Sequence, residues 1–308
     1  MGHDKLRKFA ENETFSCLLQ PDASQVLDKS GDPSEGLKLN DHQIKGHWNG
    51  EMFGEVRPIV LELGCGRGEY TIDLSKRIPG RNYIGVDIKG ARLWRGAKTA
   101  TEENLQNVAF LRTRIEFIEA FFAPGEVSEI WLTFSDPQLK SENSRLTSPL
   151  FLERYRKFLR PGGIIHLKTD SRFLHEYSKA VALENDLTIL AATTDLYASS
   201  PVGVDPPETV ATLGHVRGGT AGEAGGGVRG ADVVRGVDAT GLTDNNALYE
   251  VQTFYERMFL SQGYKITYLA FTIDHEGPYR HPSSFDSDYW RSIEGPRRFS
   301  HSPASSQR

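Results

Sequence analysis

Hydrophobic and polar positions in this chain alternate between two periods. Short unbroken apolar runs, such as "PIVLELG" at 58–64 and "EIWLTFSD" at 129–136, are followed by stretches whose apolar residues recur every three or four positions. The first kind predicts a buried strand, the second an amphipathic helix. From Pro58 the strands are "PIVLELG", "NYIGVD", "NVAFLR", "EIWLTFSD", "GIIHLKTD" and "LTILAATTDL". Between them lie the helices "RGEYTIDLSKRIPG", "GARLWRGAKTATEENL", "IEFIEAFF", "SPLFLERYRKFLR" and "SRFLHEYSKAVALEN". Ser148 is placed as an N-cap with Pro149 at the first helical position, and Pro161-Gly162-Gly163 follows that helix. A later helix, "NALYEVQTFYERMFLSQG", ends at Gly263, and "KITYLAFTI" supplies a seventh strand. Strands alternating with helices predict an α/β domain with a doubly wound parallel sheet. Ligands of such sheets lie beyond the carboxyl ends of the strands.

Three stretches break the pattern. Residues 1–55 are polar and irregular and are expected to form an extension ahead of a domain over 56–273. Residues 201–245 hold eleven glycines and no apolar period, which predicts a flexible insertion into that domain. Its arginines are few and no aromatics interleave, unlike an RNA-binding segment. Residues 274–308, rich in serine, proline and charge, are expected to be disordered.

Composition adds boundaries. With 38% hydrophobic and 25% charged residues among 308, the chain falls in the soluble globular class. It has no apolar run of membrane-spanning length and no apolar leader. The only cysteines, Cys17 and Cys65, make no disulfide framework, so a reducing cytoplasm is expected. A net charge of −5 argues mildly against a nucleic-acid binder, although a total does not report where the charges lie.

The strand ends hold the candidate chemistry. The first reads "LELGCGRGEY", with Gly64, Gly66 and Gly68 at alternate positions and Glu62 before them. This spacing departs from the nicotinamide turn G-x-G-x-x-G. It lets backbone approach a ligand closely, and Glu62 suits a cationic amine such as that of S-adenosylmethionine. The second strand ends at Asp87, about twenty residues past the glycines, where an acid accepts hydrogen bonds from ribose hydroxyls; the competing role is a helix N-cap. After the third strand stand Arg112 and Arg114, with Glu116 later, so the adenine contact is unassigned. The fourth strand ends in Asp136-Pro137, a carboxylate on a stiff turn. The fifth ends at Asp170, across the crevice from Asp136 or else an N-cap for the next helix.

Together, "LELGCGRGEY", "IGVDIKGAR", "FSDPQLK", "RLTSPLFLERYRKFLRPGGIIHLKTD" and "QTFYERMFLSQG" resemble the bacterial single-chain tRNA (guanine-N7-)-methyltransferase family. The resemblance covers most of 57–200 and returns over 246–272. It implies a class I, Rossmann-like methyltransferase fold whose last strand is antiparallel. It implies S-adenosylmethionine as cofactor, held by Glu62, Gly64, Gly66, Asp87 and Asp136, with Asp136 also catalytic. Lys140, Asp170, Thr253 and Glu256 are implied as contacts to the RNA substrate, a variable-loop guanosine of tRNA. No metal and no membrane are expected; a monomer and a homodimer are both open.

Three departures from the family pattern stand out. Ser135-Asp136-Pro137-Gln138 replaces the usual Pro-Asp-Pro-Trp. The basic run that usually follows is reduced to "KSENSRL", leaving Lys140 and Arg145. Arg114 occupies the place of the acid after the third strand. Two other readings stay open here: a nicotinamide- or nucleotide-dependent Rossmann enzyme, and a non-catalytic RNA-binding protein on a degenerate methyltransferase fold.

Overall fold

The computed structural model describes residues 3–28, 38–198 and 247–294; the glycine-rich stretch at 201–245 and the end of the tail lie outside them. The strands are β1 (Leu18–Leu19), β2 (Ile59–Leu63), β3 (Asn82–Asp87), β4 (Val108–Arg112), β5 (Val127–Thr133), β6 (Leu159–Thr169), β7 (Ile189–Thr193) and β8 (Thr267–Thr272). They form one sheet in the order β1-β4-β3-β2-β5-β6-β8-β7. β8 runs antiparallel to both its neighbours, β6 and β7, and the remaining pairs are parallel. The chain winds outward from β2 in one direction and restarts at β5 in the other. That reversal opens a crevice between the two strands.

Among the described residues the sheet has eight strands rather than the expected seven. The additional one, β1, pairs with β4 through Leu18↔Phe110 and Leu19↔Leu111. Two residues are too few to show a period.

The helices are α1 (His3–Asn12), α2 (Glu69–Arg77), α3 (Gly90–Glu102), α4 (Pro149–Arg156), α5 (Arg172–Glu184), α6 (Ala247–Glu250), α7 (Phe254–Ser261) and α8 (Ser287–Glu294). Successive strand residues point to opposite faces, and the core divides accordingly. Ile59, Leu61, Leu63, Ile130 and Leu132 pack with α4 and α5 in one cluster. Val60, Trp131 and Tyr268 pack with α2, α6 and α7 in a second, and Leu93, Ala97 and Ala100 of α3 pack with Leu18 and Phe110 in a third. With both faces covered, the strands read as continuous apolar runs.

The described residues among the first 55, 3–28 and 38–55, are not an irregular extension. Val26, Ile44, Trp48 and Phe53 are buried in the first cluster. The Trp48 ring stacks on Phe122 at 5.3 Å, and its indole N–H donates to Phe121 O at 2.8 Å. Residues 274–294 are likewise ordered, with Phe285 edge-on to Phe173 and Tyr177. In both stretches isolated apolar anchors hold a polar chain, so no periodic signal precedes the packing. The helix expected over "NALYEVQTFYERMFLSQG" is two, α6 and α7. Thr253 (ψ 163°) breaks it and caps α7, its side chain accepting from Glu256 N.

Gly96 is where α3 touches the glycine turn. A Cβ there would lie 2.5 Å from Phe110 Cζ and 2.9 Å from Arg67 O, which is backbone. Gly96→Ala is therefore expected to cost about 1–3 kcal/mol of stability by overpacking. It should also shift the turn that Arg67 belongs to. A denaturant midpoint equal to that of the parent chain would contradict this.

Candidate active site

The turn after β2 needs glycine at alternate positions because each is left-handed: Gly64, Gly66 and Gly68 have φ of 80°, 58° and 71°. Gly64 N and Cys65 N both donate to Val86 O, which ties the turn to the end of β3. A Cβ at Gly64 or Gly66 would meet nothing within 4 Å, so this backbone faces open space.

Glu62 lies inside β2 and is buried. Oε2 accepts from Thr71 N at 2.9 Å and from the Thr71 hydroxyl, and Oε1 accepts from the Thr133 hydroxyl. Burial disfavours its charged form more than these donors stabilise it, raising its pKa to about 7. Asp87 closes the turn from β3. Its Oδ2 accepts from Gly66 N at 3.0 Å and its Oδ1 from Lys89 N at 2.7 Å. Each oxygen keeps a second lone pair.

On the other side of the crevice β5 runs into a strained turn. Phe134 and Gln138 have φ of 51° and 48°, uncommon for non-glycine residues. The exposed Asp136 holds the turn, its Oδ1 accepting from Gln138 N at 2.9 Å. Phe134 N donates to Lys168 O on β6, and the Phe134 ring stacks on Phe259 at 6.1 Å.

These two turns and the start of α7 enclose one cavity of about 550 Å³. Glu62, Gly64, Gly66, Asp136 and Thr253 line it. Asp87 braces the floor through Gly66 and Lys89. Lys140 is exposed and outside the lining. Asp170 lines a separate cavity of about 200 Å³ with Arg172, Lys265 and Glu294. The N-cap of α5 is Ser171, whose hydroxyl accepts from Leu174 N, so Asp170 does not have that role.

Glu256 does not face the cavity. It is fully buried and pairs with Lys168 Nζ at 2.8 Å. Tyr197 OH donates to the same carboxylate at 2.6 Å. Lys168 also donates to Leu248 O at 2.7 Å and Val251 O at 3.1 Å. The pair thus fastens α6, the linker and α7 to the sheet, while Thr253 of the same segment reaches the wall. Burial lowers the pKa of Lys168, against the pull of Glu256.

Sequence reasoning missed Glu69 and Phe254. Glu69 Oε2 accepts from Phe254 N at 2.6 Å, and Arg67 stands 5.5 Å from the Phe254 ring. The glycine turn is thereby latched to the start of α7. No local signal pairs residues so far apart in the chain.

A family described as putative methyltransferase matches residues 56–209. A tRNA (guanine-N(7)-)-methyltransferase of Bacteroides thetaiotaomicron is 40% identical over 299 residues, 97% of each chain. One of Christiangramia forsetii is 42% identical over 272 residues, covering 88% of this chain and 98% of its own. One of Streptococcus uberis is 39% identical over 167 residues, covering 54% and 79%. On these matches, this chain belongs to the tRNA (guanine-N(7)-)-methyltransferase family.

Proposed function

We propose that this chain transfers a methyl group from S-adenosylmethionine to N7 of a guanosine in tRNA, in the variable loop and in a cytoplasmic setting. The observation that supports this most is the pairing of two unlike carboxylates across one crevice. Glu62, buried, and Asp136, exposed, line the same cavity from β2 and β5. The catalytic unit proposed is residues 56–273, interrupted at about 201–245, with residues 3–28 and 38–55 folded onto it.

The donor set fits the cofactor. Gly64 and Gly66 present bare backbone, Glu62 offers an acceptor for an ammonium group, and the spare lone pairs of Asp87 suit ribose hydroxyls. When bound, S-adenosylmethionine supplies an electrophilic sulfonium methyl. Asp136 has no proton to remove from N7, because that nitrogen already carries a free lone pair. Its work is to position the base and to stabilise the positive charge that grows on the purine. Thr253 on the facing wall, Lys140 and Asp170 are proposed as contacts to the RNA. Glu256 is proposed to act through Lys168, by holding Thr253 in place.

The direct test is incubation of purified protein with bulk tRNA and S-adenosylmethionine, followed by nucleoside mass analysis. The expected product is 7-methylguanosine; unmodified guanosine would refute the reading.

Cofactor binding carries a further expectation. Without ligand, Glu62 favours its protonated form until pH passes about 7. Its contribution to folding is therefore present below the ordinary carboxylate range and lost as pH rises through about 7. Binding of an ammonium group selects the ionised form. Affinity for S-adenosylhomocysteine is thus expected to rise by up to about tenfold per pH unit below that pKa, then level off. Glu62→Gln should bind weakly with a flat profile in calorimetry. A parent profile that falls over the same range would oppose the assignment.

A further inference from the structure

The turn after β5 keeps little to grip an RNA backbone. Of its two cations, Arg145 is buried, with its guanidinium 4.2 Å from the Tyr177 ring and 4.7 Å from the Phe173 ring. Only Lys140 is exposed. Phosphate neutralisation supplies much of the affinity for nucleic acid, so the cations must lie elsewhere.

They are concentrated on the opposite side of the cavity. α1 lies against α3: Asn12 Nδ2 donates to Gly90 O at 3.0 Å and Trp94 Nε1 donates to Glu11 Oε2 at 2.6 Å. On α1, Lys89, α3 and Arg112 there are eight Lys and Arg against three Asp and Glu. That is a local balance of +5 in a chain whose net charge is −5. Arg7, Lys8 and Lys98 surround the Trp94 ring and are paired with Asp4, Glu11 or Glu102. Lys5, Lys89, Arg92, Arg95 and Arg112 have no carboxylate within ion-pair distance among the described residues.

These five are connected in space. Lys89 and Arg92 line the cavity itself. Lys5 and Arg112 stand 5.8 and 5.4 Å from the Phe9 ring, and both Phe9 and Arg112 abut Gly90. Arg95 is exposed on the next turn of α3. Like charges left uncompensated on one face repel one another, and a polyanion relieves that repulsion. Because the band starts at the cavity, a polyanion on it has one residue within reach of Asp136.

We propose that the face built by α1, Lys89, α3 and Arg112 holds the phosphate backbone of the tRNA while the cavity takes the guanine. This rests on the tRNA reading given above. It assigns the N-terminal helix, which the local pattern marks only as polar, to substrate binding. It also accounts for how a globally acidic chain with a thinned basic run after β5 binds RNA.

The test uses the full chain and the pair Lys5→Glu and Arg95→Glu, neither of which lines the cavity. Lys5→Gln with Arg95→Gln serves as the milder pair. Binding of tRNA is followed over a salt series, the KM for tRNA is measured, and calorimetry with S-adenosylhomocysteine monitors the fold and cofactor site. The expected result is tRNA binding weakened by about tenfold or more at low salt, with the slope of log K against log salt reduced by about two. The loss should appear in KM and be recovered at high tRNA, with S-adenosylhomocysteine affinity retained. Parental tRNA affinity and slope in the Glu pair, alongside normal methylation by the parent, would overturn this surface and leave the methyltransferase reading intact. A parent chain that neither binds tRNA nor forms 7-methylguanosine would overturn both.

Discussion

Asp136→Ala should reduce 7-methylguanosine formation by about two to three powers of ten or more, the usual cost of removing a group that stabilises charge developing in the transition state. Binding of S-adenosylhomocysteine should remain measurable, because the glycine turn, Glu62 and Asp87 are untouched. The alanine variant changes two things at once, however. Asp136 also accepts from Gln138 N and so helps hold Gln138 at its left-handed φ of 48°. Asp136→Asn separates them: the amide oxygen still accepts from Gln138 N, but the negative charge is gone. If charge is what matters, both variants lose turnover alike. If the turn is what matters, the asparagine variant stays close to the parent. Near-parental turnover in both would remove Asp136 from the catalytic role.

The second large effect is expected at a residue that touches no substrate. Lys168→Met leaves Glu256 charged and fully buried without its cation. Breaking one side of a buried pair costs about 3–5 kcal/mol. In a chain of this size that lowers the melting temperature by on the order of 10 °C. Lys168 also satisfies the carbonyls of Leu248 and Val251, so its loss frees the linker that carries Thr253. Methylation is expected to fall together with stability. The combination of Lys168→Met with Glu256→Leu should recover a good part of the melting temperature, because no unpaired charge remains. A double variant no more stable than Lys168→Met would mean that the buried charge is not the source of the loss.

Glu256 also shows where a family resemblance and a structure differ in what they say. The resemblance places the Thr253–Glu256 segment at the substrate. The geometry divides that segment: Thr253 and Phe254 line the cavity, whereas the Glu256 carboxylate turns inward to Lys168. A residue of such a segment can therefore hold the wall in place without facing the cavity.

The alternating periods after Pro58, the left-handed glycines at 64, 66 and 68, and the acids at 62, 87 and 136 are all legible in the sequence. Each is written within a few residues, because strand pleat, helical turn and tight βα turns are local properties of the backbone. Where a signal spread over separated anchors, the sequence understated the structure. Trp48 and Phe285 pin polar stretches whose composition resembles that of loops, and a two-residue β1 has no period at all.

What the sequence alone determined is thus the order of elements, the α/β class and the kind of ligand the strand ends suit. Only the tertiary structure decided which charges face which way. Lys140, Arg145 and Lys168 are equivalent cations in the chain, yet one is exposed, one lies against aromatic rings and one neutralises a buried carboxylate. The same holds for the cations, without a carboxylate partner among the described residues, that α1 and α3 bring together beside the cavity. The physical reason is that the free energy of a charge depends on its partners and on its access to water. Both are set by contacts between distant segments, which local periodicity does not encode.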